Sequence, residues 1–105
     1  MQRLVYALVL LPVVALAADA EFTITLKNNS FTPAELHIPA GKKVKLIVDN
    51  QDATAEEFES YELGREKVIS ANSHGFVFIG PLEPGRYPFF GDFHQQTAHG
   101  LIVAE

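Results

Sequence analysis

The stretch Tyr87–Val103, YPFFGDFHQQTAHGLIV, decides how the rest of this 105-residue chain is read. It opens as a strand, because Tyr87, Phe89 and Phe90 are aromatic residues that suit a pleated, half-buried surface. Gly91 and Asp92 interrupt that pattern. A loop follows with His94 and, five residues later, His99, before Leu101–Val103 closes the segment with an apolar run. On a loop between two antiparallel strands, that spacing lets both rings turn toward one centre, and imidazole suits copper, iron, zinc and nickel. Asp92 lies two residues before His94 and adds a carboxylate oxygen. The plain alternative is a pair of solvated loop histidines.

Upstream, alternation of apolar and polar residues recurs. In Glu21–Lys27 (EFTITLK), Phe22, Ile24 and Leu26 alternate with polar residues. Residues 34–38 (AELHI) form a short strand between Pro33 and the Pro39-Ala40-Gly41 turn. Lys43–Asp49 (KVKLIVD) sets Val44, Leu46 and Val48 on one face, and Asn50-Gln51-Asp52 breaks it. Gly75–Gly80, Arg86–Phe90 and Leu101–Ala104 complete the set, with a Pro81–Gly85 turn between the first two of these. Seven or so short strands with regularly spaced turn signals predict an all-β Greek-key β-sandwich. Its core is expected to hold Phe22, Ile24, Leu46, Val48, Phe76, Phe78, Tyr87 and Phe89. Glu56–Lys67 has the only helical character and reads as an irregular crossover.

Residues 1–20 read as a secretory signal peptide. Arg3 supplies a positive start, Leu4–Ala17 is almost wholly apolar, and two small-x-small patterns follow, Ala15-Leu16-Ala17 and Ala18-Asp19-Ala20. An uncleaved N-terminal anchor is the alternative. Residues 21–105 then form one domain of about 85 residues, near the lower end of what folds alone. The chain has no cysteine, so no disulfide staples it and neither a cysteine zinc site nor a haem attachment motif is possible. A formal charge of −5 argues against nucleic acid and anionic membrane surfaces as partners. The expected unit is a small acidic monomer.

The acids are unevenly spread: Asp49, Asp52, Glu56, Glu57, Glu59, Glu62 and Glu66 fall within one segment, against a single Arg65. Such a run is often a solvated face. Here Glu57 and Glu59 flank Phe58, so in extended backbone both carboxylates point to one side. Paired carboxylates repel unless a cation or proton lies between them, which makes them natural ligands for a hard metal. His37 alternates with Leu36 and Ile38 and should face solvent, and His74 reads as part of a turn. No serine has a nucleophile-elbow context and no glycine-rich loop leads into a helix.

Taken together, FTPAELHIPAGKKVKLIVDN (residues 31–50), IGPLEPGRYPFF (79–90) and GDFHQQTAHGLIV (91–103) resemble the cupredoxin superfamily over nearly all of residues 21–105. The resemblance places the family's first copper histidine on or beside Glu56, its cysteine at Gly91, its second histidine at His94 and its axial methionine at His99. Without the thiolate there is no blue-copper centre, since that site depends on the Cu–thiolate bond. EEFES (Glu56–Ser60), REKV (Arg65–Val68) and PFFGDFH (Pro88–His94) are similar to exported cupredoxin-like proteins of bacterial ferrous-iron uptake, although the cysteines some of those carry are lacking. The resemblance implies a periplasmic protein that binds iron, copper or both through Glu57, Glu59 and His94, with His99, Asp92 and Glu56 as further candidates. It implies a membrane permease or a periplasmic iron-binding protein as partner, and ferrous-iron oxidation as a conceivable activity. The competing readings are a non-enzymatic copper or iron chaperone, and a metal-free interaction module.

Overall fold

A computed structural model describes residues 2–12 and 19–105. Most of the expected leader's cleavage region, including Ala15-Leu16-Ala17, lies outside the described residues. Residues 2–12 have no regular secondary structure, and among the described residues no helix is long and apolar enough to cross a membrane.

Among the described residues, nine strands form two sheets. The first contains β1 (Ala20–Lys27), β2 (Ser30–Thr32), β4 (Val44–Asn50) and β7 (Ser73–Ile79), in the order β2-β1-β4-β7. The second contains β3 (Glu35–Ile38), β5 (Glu56–Ser60), β6 (Arg65–Ile69), β8 (Gly85–Gly91) and β9 (His99–Ala104), in the order β3-β9-β8-β5-β6. The β1–β4 and β3–β9 pairs are parallel and the others antiparallel. The expected all-β sandwich is therefore the observed architecture.

Alternation drives it. β4 points Val44, Leu46, Val48 and Asn50 inward, where they meet Ile24 and Leu26 of β1 and the inner face of the opposite sheet. Phe89 anchors the centre, edge-on to Phe31 with ring centroids 5.2 Å apart and tilted against Phe58 at 5.3 Å. Ile24, Leu46, Val48 and Phe89 are buried as expected, while Phe22 and Tyr87 pack against the core half-buried.

Three expectations fail. Phe76 and Phe78 are not core residues, being 47% and 39% exposed. The ladder pairs Val44 with Ile79 and Leu46 with Val77, so β7 turns Val77 and Ile79 inward. A one-residue shift of register exchanges the faces of a strand, and in a strand with four apolar residues running together the larger side chains mislead. The outward phenylalanines are covered instead by lysine stems, with Lys43 Nζ 4.3 Å from the Phe78 ring centre and Lys45 Nζ 4.4 Å from that of Phe76.

Residues 56–67 are not an irregular crossover. They form most of a hairpin, β5 and β6 joined by a turn at Tyr61–Gly64 in which Gly64 takes φ +61°. The inner face of β5 carries Glu56, Phe58 and Ser60, two of them polar, so the period-2 apolar signal is hidden. Finally, His74 lies in β7 opposite Asp49 rather than in a turn.

The loop ahead of β5 is fixed by side chains. Buried Asn50 donates from Nδ2 to the carbonyls of Thr54 (2.9 Å), Ile69 (3.2 Å) and Ser70 (3.2 Å), and its Oδ1 accepts the Asp52 N–H at 3.0 Å. The Asp52 carboxylate accepts the N–H groups of Asn28 (2.7 Å) and Asn29 (2.9 Å), both in left-handed conformation. This network sets where Glu56 enters the sheet.

Candidate metal centre

Residues 91–98 connect β8 to β9 through a single 3-10 turn, Asp92–His94. The loop closes on itself: the Ala98 N–H donates to the His94 carbonyl at 2.8 Å, and the Gly91 N–H to the Ala98 carbonyl at 2.7 Å. Beneath it lies Glu56, 1% exposed. A buried carboxylate is costly unless its oxygens are satisfied. Here Oε1 accepts the N–H groups of Phe93 at 2.8 Å and Glu57 at 3.1 Å, and Oε2 bonds His94 Nδ1. The His94 side chain is 29% exposed. Its Nδ1 faces inward onto Glu56, which leaves Nε2 as the nitrogen available to anything else.

Gly91 is the position that this arrangement cannot change. Its backbone, φ −94° and ψ 112°, is open to any residue. A Cβ there, however, would lie 2.6 Å from Glu56 Cδ, 2.8 Å from Ala98 Cβ and 2.9 Å from Glu56 Oε1.

A second group lies on the outer face of the same sheet. Carboxylate oxygens of Glu57, Glu59 and Asp92 approach within 4.8 Å of one another, all three residues half-buried. The register puts Glu59 opposite Phe90 on β8 and opposite Glu66 on β6. Partial desolvation raises the Glu59 carboxyl above its ordinary range, helped by a hydrogen bond with the Glu57 carboxyl and by the negative charges of Glu57, Asp92 and Glu66. Gln95 Nε2 donates to Asp92 Oδ1 at 2.7 Å and steadies that side chain. A cation placed among these oxygens would relieve the repulsion between their charges.

The six candidates from sequence are thus divided. Glu56 and His94 face one another on the inner side of β5 and the loop, while Glu57, Glu59 and Asp92 gather on the outer side. His99 is exposed, opposite Phe90 on the outer face, and joins neither group. Outward-facing His37 is held between Glu105 Oε1 (2.6 Å) and Glu35 Oε2 (2.9 Å), away from both. Sequence reasoning missed Ala98, wholly buried against Gly91, and the backbone donors of Phe93 and Glu57. No side-chain pattern announces a backbone N–H.

A family model of the cupredoxin-like domain matches residues 3–104. This chain belongs to the cupredoxin-like family. The uncharacterized protein RP394 of Rickettsia prowazekii (strain Madrid E) is 45% identical to it over 83 residues, 79% of this chain and 66% of that one. The chain therefore spans just under two thirds of that relative's length. Auracyanin A, a "blue" copper protein of Chloroflexus aurantiacus, superposes with a TM-score of 0.71 at 13% identity, over 84% of this chain and 100% of auracyanin A. The metal-binding domain of the Cu(I)-exporting P-type ATPase CopA of Streptococcus pneumoniae D39 superposes at 0.70 with 17% identity, over 87% of this chain and 91% of that domain. At such identities the likeness is one of fold.

Blue copper does not fit this cupredoxin. The chain has no cysteine, and at Gly91 a thiol-bearing side chain would collide with Glu56 and Ala98. The donor set is also wrong, because the nitrogen that His94 turns inward is already bonded to a carboxylate.

Proposed function

We propose that this cupredoxin binds iron at the outer carboxylate group and assists iron uptake in the periplasm, handing the metal to a membrane permease. The observation that carries this reading is the convergence of Glu57, Glu59 and Asp92 oxygens within 4.8 Å. Hard oxygen ligands favour the ferric over the ferrous ion, so binding there lowers the iron potential and favours oxidation. Each iron oxidised gives up one electron, with dioxygen as the acceptor to be tested. The half-exposure of all three carboxylates favours an exchangeable ion over a permanently held one. That same openness suits the non-enzymatic reading, in which the protein carries iron or copper without turnover.

Calorimetric titration with ferric citrate, Cu(II) and Zn(II) tests the binding, using wild type and Glu59→Gln. Iron binding that weakens at least tenfold in the variant supports the reading. If no metal binds wild type more tightly than about 0.1 mM, roughly −5.5 kcal/mol, metal handling is abandoned. Oxygen-dependent loss of Fe(II), faster with wild type than with Glu59→Gln or buffer, separates oxidation from carriage.

A further inference from the structure

We infer that Glu56 is the specificity-determining residue of the fold's buried metal pocket: it takes both the space and the imidazole nitrogen that a copper ion would need, so this chain admits no copper there and presents His94 through Nε2. The inference rests on Glu56, Gly91, His94 and Ala98, and not on the outer carboxylates.

Three observations support it. First, a glutamate side chain is almost never wholly buried unless paired, and Glu56 is 1% exposed with both oxygens satisfied. Its partners are two backbone N–H donors and an imidazole nitrogen, so the carboxylate accepts from every side. Opposite an ionised carboxylate Nδ1 carries the proton and offers no lone pair to a metal. Second, the space is filled. A Cβ at Gly91 would stand 2.6 Å from Glu56 Cδ and 2.8 Å from Ala98 Cβ. Glu56 is tethered by three hydrogen bonds and Ala98 has nothing to rotate, so neither can move aside cheaply. A thiolate at position 91 and a glutamate at position 56 exclude one another.

Third, the alternative is costly. For a metal to reach Nδ1 it must displace the proton and break the bond to Glu56, leaving a buried carboxylate short of a donor. Removing one partner of a buried charged group costs far more than the pair contributes. His94 is instead fixed as in carboxylate–histidine–metal triads, with one nitrogen held by the carboxylate and the other directed outward. Copper is discriminated against by an occupied site, a repulsive device rather than an attractive one.

Long-range proton–nitrogen NMR on the wild-type chain, uniformly labelled with nitrogen-15, tests this with the diamagnetic probes Cu(I) and Zn(II). The His94 Nδ1–H correlation is expected to persist with either metal in excess, any metal-induced shift falling on Nε2. Loss of the Nδ1 proton with a metal-bound shift at that nitrogen overturns the inference. The second arm is Glu56→His, which removes the carboxylate and supplies a facing imidazole. Copper affinity is expected to rise at least tenfold, with His94 Nδ1 becoming a ligand. A folded Glu56→His protein with unchanged copper affinity overturns the claim that Glu56 is what excludes the metal. Should that variant not fold, the wild-type spectra still decide. Iron binding at Glu57, Glu59 and Asp92 can fail without affecting either arm.

Discussion

Replacing Gly91 by alanine tests the packing beneath the loop, because the structure reverses the usual sign of that change. In extended backbone, exchanging glycine for alanine normally stabilises by about 0.4–1 kcal/mol through the unfolded chain. Gly91 has such a backbone, so no conformational strain opposes the methyl group. Space opposes it. The new Cβ would meet Glu56 Cδ at 2.6 Å and Ala98 Cβ at 2.8 Å, distances that require something to shift. Overpacking of this kind costs about 1–3 kcal/mol. Glu56 can retreat only by loosening its bonds to Phe93 N–H, Glu57 N–H or His94, and an unsatisfied buried group costs about 1–3 kcal/mol more. After subtracting the entropic gain, Gly91→Ala should be less stable by roughly 1–5.5 kcal/mol. The assay is urea unfolding followed by circular dichroism, since the chain has no tryptophan. Gly85→Ala is the control: its Cβ would find nothing nearer than Tyr87 Cε2 at 3.5 Å, so that variant should be as stable as wild type or slightly more so. If Gly91→Ala matches Gly85→Ala, the account of a pocket filled by Glu56 is refuted.

Three further outcomes are expected. In the absence of metal, Glu59→Gln should unfold at slightly higher urea than wild type near neutral pH, because one of several crowded charges is gone; saturating iron should reverse that order. His37→Gln should lose stability chiefly in acid. Hydrogen bonds to Glu35 and Glu105 raise the His37 pKa, so its contribution is fully present below the ordinary value of about 6.5 and disappears as pH rises through the raised value. Urea midpoints of the two proteins should therefore differ most near pH 5–6, by a small margin because the pair is exposed, and converge in alkali. The register of β7 is checked by Ile79→Ala, which should cost about 2–5 kcal/mol. Phe78→Ala should cost no more than about 1 kcal/mol, the worth of its contact with Lys43; the opposite ranking would mean that the phenylalanines face the core.

Strands whose inner face is apolar were legible in the sequence. β1 and β4 alternate cleanly, and Ile24, Leu46 and Val48 are buried where the pattern places them. Legibility failed where burial is polar or continuous. β5 hides Glu56 and Ser60 behind hydrogen bonds, with Ser60 Oγ donating to the Pro88 carbonyl at 2.7 Å, so its inward face looks soluble. β7 presents Phe76, Val77, Phe78 and Ile79 in a row, and only its pairing with β4 says which two turn inward. The sequence names the acids and histidines of this region but not their partition. Spacing puts Glu57 and Glu59 on one side and Glu56 on the other. That Asp92 joins the former and His94 the latter depends on the turn at 92–94, which only the closed loop defines.

The bare backbone at Gly91 and the buried carboxylate of Glu56 are best understood together. The loop directs the N–H group of Phe93 and a histidine nitrogen, and β5 the N–H group of Glu57, toward a common point beneath Gly91. Those groups need a partner, because each buried polar group without one costs stability. A carboxylate has two acceptor oxygens and no donor, so one glutamate satisfies all three. Glutamine could match it only by turning its amide nitrogen to His94 and holding the imidazole in the tautomer whose Nδ1 accepts. The glutamate needs room that a side chain at position 91 would deny, and glycine provides it. Glu56 therefore ties the loop together through its own carboxylate on the inner side of the sheet, while Glu57, Glu59 and Asp92 gather on the outer side.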